Sequence, residues 1–234
     1  MNKIISWIPN SITCLNLLSG CVACIFAFHG YEQYGCWLGW QWTCLFIGLA
    51  AVFDFLDGAM ARLLKAYSKI GAELDSLSDL VSFGVAPAFL LMNIMQAKFA
   101  ADIQWLSYIA LLGPVCGALR LARFNVMDVG DTNFRGLPIP SNAIFLIGLA
   151  GLVNDYAMLN PIVMAVLIIL SALAMVGRFT MFSLKFKNFG LAGNFRRYVI
   201  LMVAVVFVVM YGLAGLAWTI ILYLLLSVIS KRQV

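Results

Sequence analysis

Polar positions are sparse along this chain, and the apolar ones run in blocks. Each block is about as long as a helix must be to cross ~30 Å of hydrocarbon. The blocks fall at about 10–29, 36–62, 71–95, 105–124, 139–155, 160–178, 197–212 and 214–230. This pattern predicts an all-α, polytopic membrane helix bundle of about eight transmembrane helices. The last two blocks are separate spans if "YGLAG" at 211–215 is a tight turn; otherwise residues 198–229 form one run too long for a single crossing.

Charge tests the count, because short cytoplasmic loops collect Lys and Arg. With eight spans both termini share a side. Placing them in the cytoplasm puts Lys3, Arg62, Lys65, Lys69, Arg120, Arg123, Arg135, Arg178, Lys185, Lys187, Arg196, Arg197, Lys231 and Arg232 inside, and only Lys98 outside. Seven spans would send Lys231 and Arg232 to the opposite face. Residues 1–234 are expected to form a single integral membrane domain, with a core at about 5–178 and additional C-terminal helices at about 197–230. The net charge of +5 is then a topology signal, and no nucleic-acid partner is expected.

Composition agrees: 64% of residues are hydrophobic, 11% are charged and the mean hydropathy is +0.99, which excludes an ordinary soluble domain. "LSGC" at 18–21 imitates a lipoprotein cleavage box, yet the apolar run continues through "VACIFAF", so the first block is expected to stay. The six cysteines are expected to pack as small hydrophobes, since Cys21 and Cys24 have no second pair or spaced histidine to complete a zinc site. His29, the one histidine, is expected at the outer end of the first span.

Against this background residues 54–79, "DFLDGAMARLLKAYSKIGAELDSLSD", hold five of the ten acidic residues. A charge at membrane depth costs ~2.5–3.5 kcal/mol even on lenient scales and is a functional candidate by default. Asp54 lies 18 residues beyond Cys36, about 27 Å along a helix, which brings it near the cytoplasmic face. Asp54 and Asp57 are three apart and Asp75 and Asp79 four apart, so each pair shares one face of its helix. "LLKAYSKI" turns the chain between them, setting Asp57 opposite Asp75 and Asp54 opposite Asp79. Four carboxylates so close need cations, and oxygen ligands without Cys or His suit Mg²⁺, Mn²⁺ or Ca²⁺. A two-metal centre is the natural expectation. Gly58, Ala61 and Gly71 either leave room for a ligand or serve close helix packing. Arg62 either meets a metal-bridged diphosphate or anchors the topology.

The string D-x2-D-G-x2-A-R-x8-G-x3-D-x3-D, complete from Asp54 to Asp79, resembles the signature of the CDP-alcohol phosphatidyltransferases. That resemblance implies two bound Mg²⁺ or Mn²⁺ ions held by Asp54, Asp57, Asp75 and Asp79, with Asp79 also the general base. It further implies contacts from Gly58, Ala61, Arg62, Ser68 and Gly71 to a CDP-linked lipid. Glu73 lies outside the motif and receives no role. "IPNSITCLNLLSG" at 8–20, "LRLARFN" at 119–125 and "GLPIPSNA" at 136–143 are similar to stretches of the membrane-type phosphatidylserine synthases within that family.

This closer likeness implies transfer of a phosphatidyl group from CDP-diacylglycerol to L-serine, with release of CMP. Arg120, Arg123, Asn125 and Asn142 are the acceptor-binding candidates; positive-inside anchoring or helix capping are their alternatives, and Ser141 is a candidate cap. The basic, Phe-rich segment at 177–197 suits an anionic leaflet. The likeness also implies a homodimer in the cell (inner) membrane, its active site facing the cytoplasm among membrane lipids. A glycerol 3-phosphate or inositol acceptor remains an alternative, and so, more remotely, does a cation transporter, although transport sites favour the midplane.

Overall fold

The computed structural model describes residues 3–126, 136–156, 160–177 and 191–230. Its first antiparallel pair is α1 (Lys3–Phe28) and α2 (Gly39–Leu63), joined by a small hairpin of β1 (Gln33–Tyr34) and β2 (Trp37–Leu38). Gln33 pairs with Leu38 and Tyr34 with Trp37. Gly35, at φ 65, supplies the left-handed residue that so short a turn requires. The hairpin takes the residues where the second span was expected to begin, so the helix starts at Gly39 instead. Phe26 of α1 stacks on Phe46 of α2 at 5.7 Å and meets Tyr34 edge-on at 5.1 Å, which ties the hairpin to both helices.

A tight turn with Lys65 at φ 49 reverses the chain into a third rod. This rod is α3 (Lys69–Asp79), a π-helical stretch (Leu80–Val85) and α4 (Ala86–Lys98) in unbroken succession. Ser68 starts it, its hydroxyl accepting a hydrogen bond from the Gly71 amide at 2.9 Å. A fourth rod joins a 3₁₀ stretch (Ala101–Leu111) to α5 (Leu112–Val126). Then come α6 (Ile139–Tyr156), α7 (Pro161–Val176), α8 (Leu191–Tyr211) and α9 (Ala214–Ser230). Gly212, at φ 58, makes the turn that "YGLAG" predicts.

The molecule is a polytopic helical membrane protein. Trp7–Phe28, Gly39–Leu63, Lys69–Lys98 and Ala101–Val126 are long and apolar enough to cross a bilayer. Pro161–Val176, Tyr198–Tyr211 and Ala214–Ser227 are shorter apolar helices. The core gathers on α4 and α6, where Leu90, Leu91, Ile94, Met95, Leu146 and Leu149 are fully buried. Outward residues such as Leu18, Ile25, Val52, Phe55, Val205 and Val209 are exposed and apolar, as a lipid-facing surface must be. Small residues set the closest approach: a Cβ at Gly148 would stand 2.8 Å from Ala217 Cα, so α9 lies directly on the backbone of α6.

The two ends of the bundle differ. At one, the Tyr31 hydroxyl donates to Asn154 at 3.0 Å and the Lys98 ammonium stands 5.6 Å over the Tyr31 ring. His29 lies at this end, exposed and 2.9 Å from Glu32. At the other end are the α2–α3 turn and the ends of α5 and α7, where the Leu137 amide donates to the Ala174 carbonyl at 2.9 Å. Arg135, Lys185, Lys187, Lys231 and Arg232 lie outside the described residues, as does most of the basic segment at 177–197. Ser141 is not the cap of α6: the helix begins at Ile139 and the Asn142 amide already donates to the Pro138 carbonyl at 3.0 Å. All six cysteines are free, Cys24, Cys44 and Cys116 being half-buried.

Candidate active site

The turn after α2 brings Asp75 against Asp54 and Asp57, as their helical spacing predicts, while Asp79 does not join that group of three. Asp54, Asp57 and Asp75 each offer a carboxylate oxygen, and the three oxygens lie within 4.8 Å of one another. Asp57 is 6% exposed, and its Oδ2 is buried without a hydrogen-bond partner among the described residues. Asp79, one turn along α3 from Asp75, stands in the field of Asp54, Asp75 and Asp57. An oxygen-only donor set, mutually repelling and with an orphaned buried oxygen, fits a hard divalent cation such as Mg²⁺ or Mn²⁺.

The surroundings sort the other expected residues. A Cβ at Gly58 would meet nothing within 4 Å among the described residues, so the face of α2 beside Asp57 is open there. A Cβ at Gly71 would stand 2.8 Å from Asn10 Oδ1 and 2.9 Å from Ser68 Oγ, which makes that glycine a point of close approach to α1. Arg62 is exposed and Ala61 half-buried at the end of α2. Arg120 and Arg123, three apart on α5, diverge. Arg120 lies in the field of Asp79 with its Nε buried and unpaired among the described residues, whereas Arg123 donates to the Val176 carbonyl at 3.2 Å and so caps α7. Asn125 joins α5 to α3, donating to Glu73 at 3.2 Å and to Ser76 at 3.1 Å. Asn142 is 1% exposed, with Oδ1 unpaired among the described residues and Nδ2 turned toward Gly113.

Sequence reasoning missed the part played by α1. Asn16, fully buried, donates from Nδ2 to Asp79 Oδ1 at 3.4 Å. The Thr13 hydroxyl, 3.1 Å from the Pro9 carbonyl, also lies within reach of Asp57 and can donate to one of the two. The signal was present: Asn10, Thr13 and Asn16 recur at three-residue spacing on one face of an otherwise apolar helix.

The bundle and its site define a class: an integral membrane protein with an acidic, oxygen-lined centre on paired helices near one end. Residues 6–176 match the CDP-alcohol phosphatidyltransferase family, and the chain belongs to it. Among its relatives is the CDP-diacylglycerol–serine O-phosphatidyltransferase of Methanocaldococcus jannaschii, 40% identical over 168 residues that make up 72% of this chain and 71% of that protein. The protein of the same name from Mycobacterium tuberculosis is 38% identical over 152 residues, 62% of this chain and 49% of that one. This chain thus spans about half the length of the mycobacterial relative. The Helicobacter pylori protein of that name is 28% identical over 224 residues, 94% of this chain and 89% of its own length.

Proposed function

We propose that this protein transfers the phosphatidyl group of CDP-diacylglycerol to the hydroxyl of L-serine, giving phosphatidylserine and CMP. The observation that carries the chemistry is the convergence of Asp54, Asp57 and Asp75 within 4.8 Å beside Asp79. The printed names of the relatives support serine as the acceptor.

Asp54, Asp57, Asp75 and Asp79 would hold two Mg²⁺ or Mn²⁺ ions, whose charge offsets that of the diphosphate and of the departing CMP. The open face at Gly58 admits the liponucleotide diphosphate beside Asp57, with Ala61 and Arg62 one turn further along α2 toward its polar end. Ser68 and Gly71 shape the opposite wall, where Ser68 holds the first turn of α3 and Gly71 admits α1. Asp79 takes the serine hydroxyl proton on a carboxylate oxygen as the serine oxygen bonds to the lipid-bearing phosphorus. The phosphorus–oxygen bond to CMP breaks in the same displacement. Arg120, with its unpaired Nε, suits the serine carboxylate, and Asn142 offers a further polar group deeper along α6. Arg123 and Asn125 act on the site indirectly, by fixing α5 to α7 and to α3.

The same reading places the protein in the cell (inner) membrane as a homodimer. The site faces the cytoplasm, with Lys98 marking the opposite face. The test is CMP release by purified protein given CDP-diacylglycerol and Mg²⁺ or Mn²⁺, with L-serine, glycerol 3-phosphate, inositol or inositol phosphate as acceptor. Serine-dependent release that disappears in Asp79→Asn is the expected result. Release with another acceptor would replace serine and keep the chemistry. No release with any acceptor, together with cation flux in liposomes, would favour transport instead.

A further inference from the structure

Asn16 is an expensive residue in its place. It is fully buried, its Nδ2 faces a carboxylate oxygen that can only accept, and its Oδ1 has no partner among the described residues. An orphaned buried acceptor is destabilising, whereas leucine, of similar size, would fill the same space without that cost. Packing therefore does not explain an amide here.

The backbone around Asn16 is held on both sides of Asp79. Ser78 donates to the Thr13 carbonyl at 3.2 Å and Ser82, four residues on, donates to the Asn16 carbonyl at 3.1 Å. Both serines are fully buried. One turn further along α1, Gly20 lets the helices touch, since a Cβ there would stand 2.9 Å from Ser82 Cα. The π-helical stretch begins immediately after Asp79 and carries Ser82. Widened turns of this kind re-aim the residues beside them. The α1 backbone and the Asp79 backbone are thus fixed to one another, so the Asn16 amide meets Asp79 at a set position.

We infer that Asn16 is a positioning residue for Asp79: its amide holds one carboxylate oxygen and leaves the other turned to the reacting centre. This inference rests on the proposed role of Asp79 as base. An outer partner that orients a ligating or reacting carboxylate typically governs about 10- to 100-fold in activity or metal affinity.

The experiment compares full-length wild type with Asn16→Leu, Asn16→Asp and a control, Ser19→Ala. Ser19 also lies on α1, but its hydroxyl donates to the Phe46 carbonyl of α2 at 3.2 Å, away from Asp79. Measured are kcat, the KM of each substrate, thermal stability, and Mn²⁺ affinity by calorimetry without substrate. For Asn16→Leu the expected result is a kcat lowered about 10- to 100-fold, an unchanged KM for CDP-diacylglycerol, retained stability, and weaker Mn²⁺ binding. Asn16→Asp, which sets a carboxylate against Asp79, loses at least as much and carries the test if the leucine variant does not fold. Wild-type kcat or wild-type Mn²⁺ affinity in these variants overturns the inference, as does an equal loss in Ser19→Ala. If wild type itself releases no CMP with any acceptor, the functional reading fails, and the Mn²⁺ titration alone decides whether Asn16 governs the carboxylate.

Discussion

Gly58→Ala separates a ligand-facing glycine from a packing glycine, because the two roles move stability and activity in opposite directions. At Gly58 the added Cβ would meet nothing within 4 Å, so the substitution introduces no clash in the folded protein. Alanine inside a helix is favoured over glycine by about 0.5–1 kcal/mol. For a chain of this size that is an upward shift of about 1–4 °C in Tm. If the open face receives the CDP-lipid, the same methyl group intrudes on a filled contact. Overpacking costs about 1–3 kcal/mol, which is about 5- to 150-fold in kcat/KM at 1.4 kcal/mol per tenfold. The assay pairs thermal unfolding with CMP release over a range of CDP-diacylglycerol concentrations. Gly20→Ala serves as the opposite case, since its Cβ would press on the Ser82 backbone; it should lower Tm. A Gly58→Ala protein that is less stable than wild type, or that keeps wild-type kcat/KM, would refute the reasoning.

Four further outcomes follow from other contacts. Arg120→Gln should lower kcat/KM for the acceptor by about 10- to 150-fold, the worth of a hydrogen bond to a charged group. Arg123→Gln should instead cost about 0.3–1 kcal/mol of stability, through the lost cation at the end of α7, and leave the acceptor KM alone; parallel steady-state kinetics and unfolding curves distinguish them. Gly148→Val should destabilise by about 1–3 kcal/mol by pushing α9 off α6, visible as faster proteolysis between residues 191 and 230. At the opposite face, donation from His29 and then Tyr34 holds the Glu32 carboxyl below its ordinary value. A depressed carboxyl contributes stability above its unfolded pKa and loses it as pH falls through the folded value. Hydrogen-exchange protection at residues 30–38, taken relative to the intrinsic exchange rate at each pH, should therefore fall on acidification, and Glu32→Gln should abolish that dependence.

The helical bundle and the clustering of Asp54, Asp57 and Asp75 were legible from the chain alone because both rest on local geometry. An apolar block of membrane length has few alternatives to helix, since lipid offers no partner for a free backbone amide. Spacings of three and four put Asp54 with Asp57, and Asp75 with Asp79, on single helix faces, and the short turn at Lys65 brings Asp75 onto the first pair.

What lay beyond the sequence was how the rods are rotated and offset against one another. Nothing local tells Arg120 from Arg123, yet one lies in the field of Asp79 and the other closes the end of α7. Glu73 had no motif to belong to, and its partner Asn125 lies 52 residues away. Asn16 reaches Asp79 across 63 residues, through a register set by Gly20 and by the serine bonds from Ser78 and Ser82. Periodicity fixes which side chains share a face within one helix. Which face meets which neighbour, and at what height, depends on packing summed over the whole bundle.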